Sequence, residues 1–76
     1  MNLTPTQQRI FDLLKEADGE FVSTAKIYDA LYADRERKPG RSVIKVIISQ
    51  MREKLDDYSI LSANWHGYML KERKKR

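Results

Sequence analysis

The stretch SVIKVIISQMREKL, from Ser42 to Leu55, decides how the chain folds. At about 100° per residue, Ile44, Ile48, Met51 and Leu55 fall on one stripe with Ile47 at its edge, while Ser42, Val46, Ser49, Gln50 and Glu53 fall opposite. A helix used only for packing covers its outer face with long charged side chains. Here that face is short and uncharged apart from Glu53, and Lys45, Arg52 and Lys54 stand toward its edges. Such a helix suits close approach to another surface. The β-branched run Val43, Ile44, Val46, Ile47, Ile48 argues the other way, because these residues favour strands and Ser42 to Gln50 also reads as a buried strand. The stripe decides for a helix: it continues through Met51 to Leu55 over Arg52, Glu53 and Lys54, which are good helix formers.

On the N-terminal side, Leu3-Thr4-Pro5-Thr6-Gln7 is a helix start. Thr4 can accept a backbone N–H, Pro5 suits the first helical position, and Gln7 completes a capping box. This helix should run to about Ala17, burying Ile10, Phe11, Leu13, Leu14 and Ala17, and should end where Gly19 permits a left-handed backbone. Phe21-Val22 makes a short extended step. Ser23 then caps a second helix through about Tyr32, with Ile27, Ala30 and Leu31 inward and Tyr28 and Tyr32 paired at the i, i+4 spacing. Two readings of those tyrosines stand: half-buried edge residues with wet hydroxyls, or phosphate contacts. From Ala33 to Gly40 the sequence ADRERKPG has no apolar periodicity and reads as a loop.

Past the deciding helix, Asp56-Asp57-Tyr58-Ser59 breaks the pattern. Ile60 to Ala63 and Gly67 to Leu70 then flank Asn64-Trp65-His66 as a small hairpin. The closing KERKKR, residues 71–76, is too charged to pack and is expected to be a basic disordered tail. Residues 1–70 form one domain. The expected architecture is α+β, mainly α: a three-helix winged helix-turn-helix with a C-terminal β-hairpin wing, the second and third helices forming a helix-turn-helix with a lengthened turn.

Composition sets outer bounds. Seventy-six residues without cysteine allow no disulfide and no cysteine-based metal site, so stability must come from packing. The longest apolar run is far below the ~18 residues of a membrane-spanning helix, and MNLTPTQQ lacks the apolar stretch of a secretory signal. The expectation is a soluble, cytoplasmic, nucleoid-associated protein with no membrane partner. Fifteen basic against eleven acidic residues give a net charge of +4, with a pI near 9.5, which makes a polyanionic partner worth testing.

Four segments carry a family resemblance. LTPTQQRIFDLL resembles the L-T-x-x-E-x-x-L-L-x-x-L helix of the OmpR/PhoB-type winged-helix DNA-binding domain, and EFVSTAKIYDALY its V-V-S-R-x-x-L-x-x-x-V-W segment. SVIKVIISQMREKL resembles its recognition helix R-T-V-D-V-H-I-x-x-L-R-K-K-L, and ILSANWHGYML its wing I-x-T-V-R-G-x-G-Y-x-L. The resemblance implies that Val43, Val46, Ser49 and Gln50 face bases and that Arg52 meets the phosphate backbone. It also implies that Asn64 reaches toward the minor groove from the wing and that Tyr68 supports the wing and touches a phosphate. The chain departs from the pattern at Gln50 and Asn64, where arginines are frequent, and at Trp65, which replaces the first wing glycine. Met1 to Leu3 alone precede the first helix, so the family's N-terminal four-stranded sheet is not expected, nor is a receiver domain with its phosphorylation control.

Groove chemistry gives these residues roles. Gln50 can pair with the N6 and N7 edge of adenine, Ser49 can donate or accept, and Val46 or Val43 can contact a thymine methyl. Arg41, Ser42, Lys45, Arg52, Lys54 and the tail are the candidate backbone contacts. The competing structural readings are an idle surface amide for Gln50, core burial for Val43 and Val46, and folding back over Tyr58 or the helix for Trp65. His66 reads as a bystander on the hairpin, and no metal or other cofactor is expected. Nor is an enzyme, since the chain offers one histidine, no cysteine and no glycine-rich phosphate loop. The expected function is sequence-specific binding of double-stranded DNA by a small bacterial or phage transcriptional regulator. Binding would be in tandem or as a dimer, with RNA polymerase or another regulator as a further partner through the 33–40 loop. The alternatives are a protein-interaction module built on Val43, Val46, Ile47 and Trp65, and an excisionase-like architectural protein that bends DNA.

Overall fold

The computed structural model describes residues 2–36, 38–63 and 67–73. In chain order they form α1 (Pro5–Glu16), α2 (Thr24–Tyr32), α3 (Ser42–Lys54), β1 (Tyr58–Ala63) and β2 (Gly67–Glu72). Three helices with one antiparallel hairpin make the mainly helical winged helix expected from the sequence.

The helix starts follow local chemistry. Thr4 Oγ1 accepts the Gln7 N–H at 3.2 Å while Gln7 Oε1 accepts the Thr4 N–H at 3.0 Å, a reciprocal capping box with Pro5 just inside it. After Ala17 both Asp18 and Gly19 take positive φ, 50° and 87°, so the left-handed stop expected at Gly19 begins one residue sooner. Ser23 Oγ accepts the Lys26 N–H at 3.1 Å and opens α2.

The segment from Ser42 is a helix because of what it buries. Ile44, Ile47, Ile48 and Met51 are buried along one side of α3, and Leu55 continues the stripe at its C-cap. Ile44, Ile48 and Met51 lie fully inside together with Ile10 and Leu14 of α1 and Ile27 of α2. Burying each such side chain contributes about 1.5–3 kcal/mol, whereas the helix penalty of a β-branched residue is below about 0.7 kcal/mol. Packing therefore overrides the strand preference.

The hairpin closes the core from below, with Ile60, Tyr68 and Leu70 buried. Its register runs from Tyr58 opposite Glu72 to Ala63 opposite Gly67, so it extends two residues further at its open end than the expected Ile60–Ala63 and Gly67–Leu70. The Tyr58 ring meets Phe11 edge-on at 5.2 Å, and Lys15 Nζ donates to the Tyr58 hydroxyl at 3.1 Å. That hydrogen bond raises the Lys15 pKa above the ordinary lysine value. Lys71 to Arg73 were expected to open the disordered tail, yet Lys71 and Glu72 continue β2. The Arg73 N–H donates to the Asp57 carbonyl at 2.7 Å, and its Nε to Ser59 Oγ at 2.6 Å. Backbone pairing does not require apolar side chains, which is why composition misjudged this end. The rest of the expected tail, residues 74–76, lies outside the described residues.

The 33–40 loop is held at defined points. The Tyr28 hydroxyl donates to the Pro39 carbonyl, the Tyr28 and Tyr32 rings stand 5.1 Å apart, and the Arg35 guanidinium lies 5.3 Å from the centre of the Tyr32 ring. Tyr28 is half-buried as expected, but its hydroxyl fastens the loop. Tyr32 is buried rather than half-buried.

Between α1 and α2, Val22 bridges to Tyr68: the Val22 N–H donates to the Tyr68 carbonyl at 2.7 Å and the Tyr68 N–H returns the bond at 2.9 Å. Gly67 makes the crossing possible. Its φ is +97°, and a Cβ there would stand 2.7 Å from Ser23 Cα and closer still to the Val22 carbonyl oxygen. Gly67→Ala is expected to destabilise the fold by about 3 kcal/mol, from left-handed strain plus the backbone clash. Urea unfolding of the two proteins measures it, and an unchanged midpoint contradicts the crossing geometry.

Candidate nucleic-acid interface

The outer face of α3 is bare where its spacing requires. Val46 is 55% exposed, and Ser49, Gln50 and Glu53 are exposed beside it. Val43, one turn earlier, is half-buried against the core, so its side chain is divided between packing and surface. Arg41, Ser42 and Lys45 are exposed at the start of the helix, which carries no side-chain N-cap.

Those three residues share a cleft with the hairpin. Thr24 at the start of α2, Arg41, Ser42 and Lys45 at the start of α3, and Ser62, Ala63, Gly67 and Tyr68 of the hairpin enclose about 300 Å³. Its charged side chains, Arg41 and Lys45, are both cations, and Thr24, Ser42 and Ser62 add hydroxyls. A second cleft of about 430 Å³, between the end of α1 and the hairpin, mixes Lys15 and Lys71 with Asp18 and Glu72. Balanced charge gives that one no preference for a polyanion. The first cleft combines positive charge, hydrogen-bonding hydroxyls and the exposed side of a helix.

The two candidate cations at the end of α3 are engaged by the fold. Arg52 Nε and Nη2 donate to the Ile60 carbonyl at 3.1 and 2.8 Å, fastening the end of α3 to β1. Lys54 Nζ donates to Gln7 Oε1 at 2.9 Å and is half-buried. Tyr68 is buried, its backbone paired with Val22. Asn64, Trp65 and His66 lie outside the described residues. Among the described residues no group of three His, Cys, Asp or Glu side chains comes together to hold a metal ion, and no helix is long and apolar enough to cross a membrane.

The family described as "Transcriptional regulatory protein, C terminal" matches residues 1–70. The chain belongs to this family. It is an OmpR/PhoB-type DNA-binding domain of the transcription-regulatory kind, and the family is not one of enzymes. No curated protein and no solved structure matches the chain. In this OmpR/PhoB-type domain the unengaged positive charge at α3 sits at its beginning, on Arg41 and Lys45, while Arg52 and Lys54 at its end serve the structure.

Sequence reasoning missed Thr24 and Ser62, which line the cleft, and the role of Gln7 beyond its capping box. The Ser23 cap placed Thr24 at a helix start, but only the Val22–Tyr68 crossing brings it to the hairpin. The paired hydrogen bonds of Arg52 give a testable expectation. Arg52→Ala should lower stability by about 1–2 kcal/mol, the lower part of the range for a charged donor because the group is exposed. Denaturant unfolding checks this, and full stability with weakened DNA binding would assign Arg52 to phosphate instead.

Proposed function

We propose that the chain binds double-stranded DNA sequence-specifically, with α3 in the major groove and the hairpin acting as a wing beside it. One observation carries the reading: the bare face of α3 borders a cleft whose charged lining, among the described residues, is wholly cationic. A major groove about 12 Å wide admits a helix. Val46 offers contact to a thymine methyl, with Val43 at the margin, and Ser49 and Gln50 offer hydrogen bonds to base edges. Arg41, Ser42 and Lys45 take phosphates. Asn64, Trp65 and His66 are the proposed wing contacts, and Tyr68 borders the cleft at the base of the wing.

The protein acts by occupancy as a small bacterial or phage regulator in the cytoplasm, blocking polymerase or recruiting it through the 33–40 loop. A single module of this kind buries roughly 600–1,000 Å² on DNA, so useful affinity calls for two or more copies on adjacent sites or a partner protein.

Selection of preferred sites from random duplex DNA, repeated across salt concentrations, tests the reading. Replacing Arg41 and Lys45 together by Ala should weaken binding to all sequences alike. It should also make the slope of log affinity against log salt shallower by about 2, one unit for each phosphate that the variant no longer neutralises. Gln50→Ala should relax base preference at one or two positions with a modest loss of affinity. A wild-type affinity indifferent to salt and abolished by Val46→Ser would instead identify a protein-binding face.

A further inference from the structure

Gln7 is buried to 3% exposure, and its amide joins the N-cap of α1 to two residues of α3. Its Oε1 accepts the Thr4 N–H at 3.0 Å and Lys54 Nζ at 2.9 Å, and its Nε2 donates to Gln50 Oε1 at 3.5 Å. The last contact is long, and its polarity is set by the other two rather than by its own strength. A backbone N–H and an ammonium can only donate. Both must meet the Gln7 oxygen, which leaves the Gln7 amino group facing Gln50. Gln50 must then turn its own oxygen inward and its amino group outward. Gln7 itself is buried, so its oxygen and amino group are held by these protein partners on its inner side.

We infer that Gln7 is a positioning residue that makes Gln50 a hydrogen-bond donor toward the DNA, so that the base it reads is guanine, whose major-groove edge offers the N7 and O6 acceptors. This rests on the DNA-reading role proposed above for Gln50 and narrows it. An amide free to turn would serve the N6 and N7 edge of adenine, which needs its oxygen and nitrogen together. With the oxygen held by Gln7, the outward amino group favours an edge that only accepts, and guanine presents two such acceptors, N7 and O6, where thymine presents O4 alone.

Gln7→Glu tests the idea because it preserves the capping box and the acceptor for Lys54 while removing the donor. The second carboxylate oxygen of the variant accepts from the Gln50 amino group, turning the Gln50 oxygen outward. Site selection on wild type, Gln7→Glu and Gln50→Ala first locates the base pair read by Gln50 as the one that relaxes in Gln50→Ala. Wild type is expected to select guanine there. Gln7→Glu should shift the preference on the order of tenfold toward adenine or cytosine, whose N6 or N4 amino groups donate. A merely structural role for Gln7 would lower stability without exchanging one base for another.

A folded Gln7→Glu with wild-type preference, or a wild type that selects an A·T pair at that position, overturns the inference and leaves the DNA-reading role intact. If Gln7→Glu does not fold, the wild-type pair decides alone: G·C supports the assignment, A·T removes it. Absence of any sequence preference in wild type removes both the inference and the reading beneath it.

Discussion

Two hydrogen bonds between the backbones of Val22 and Tyr68 hold this small protein in its shape. They join the segment before α2 to the second strand of the hairpin, two parts of the chain that are far apart in sequence. Without them the hairpin would be a two-stranded ribbon, which is at best marginally stable in water. With them its inner residues Ile60, Tyr68 and Leu70 close the core that α1, α2 and α3 leave open. The same crossing brings Thr24 beside Ser62 and Gly67 and so builds the cleft in which Arg41 and Lys45 stand.

Helix α3 serves two purposes with opposite requirements. Its inner side consists of isoleucines and a methionine packed among the other helices, where shape and volume decide. Its outer side is kept short, so that nothing long stands between the helix backbone and an approaching surface. The polar groups between these sides are not idle: Gln50 is touched by Gln7, Lys54 reaches the same amide, and Arg52 is drawn to the hairpin. Charge available to a partner is therefore concentrated at the helix start, which differs from a simple count of lysines and arginines along α3.

Much of this was legible in the sequence. The Thr4 capping box, the Ser23 cap and the Ile44-Ile48-Met51-Leu55 stripe are local patterns, and each element forms where its pattern stands. The bare face of Val46, Ser49 and Gln50 followed from the same periodicity. What the sequence could not display were contacts made between elements. The engagement of Arg52 by the Ile60 carbonyl, the Tyr28 bond to Pro39 and the Gln7 link to Gln50 depend on tertiary placement, and a lone arginine or glutamine carries no mark of its future partner. The longer hairpin was missed for a related reason: side-chain polarity concealed a backbone ladder that continues through Lys71 and Glu72.

The two hydrogen bonds from Arg52 to the Ile60 carbonyl lie at the far end of α3 from the cleft, while the Val22–Tyr68 bridge holds the opposite strand of the hairpin two rungs nearer its turn. The ribbon is thus tethered at two separated points along its length, which leaves it little freedom to swing relative to the helix. Anything that rests on both must accept their spacing as given. For a duplex, the adjustment then falls on the double helix itself, so that stiffness and groove width at untouched base pairs enter the choice of site.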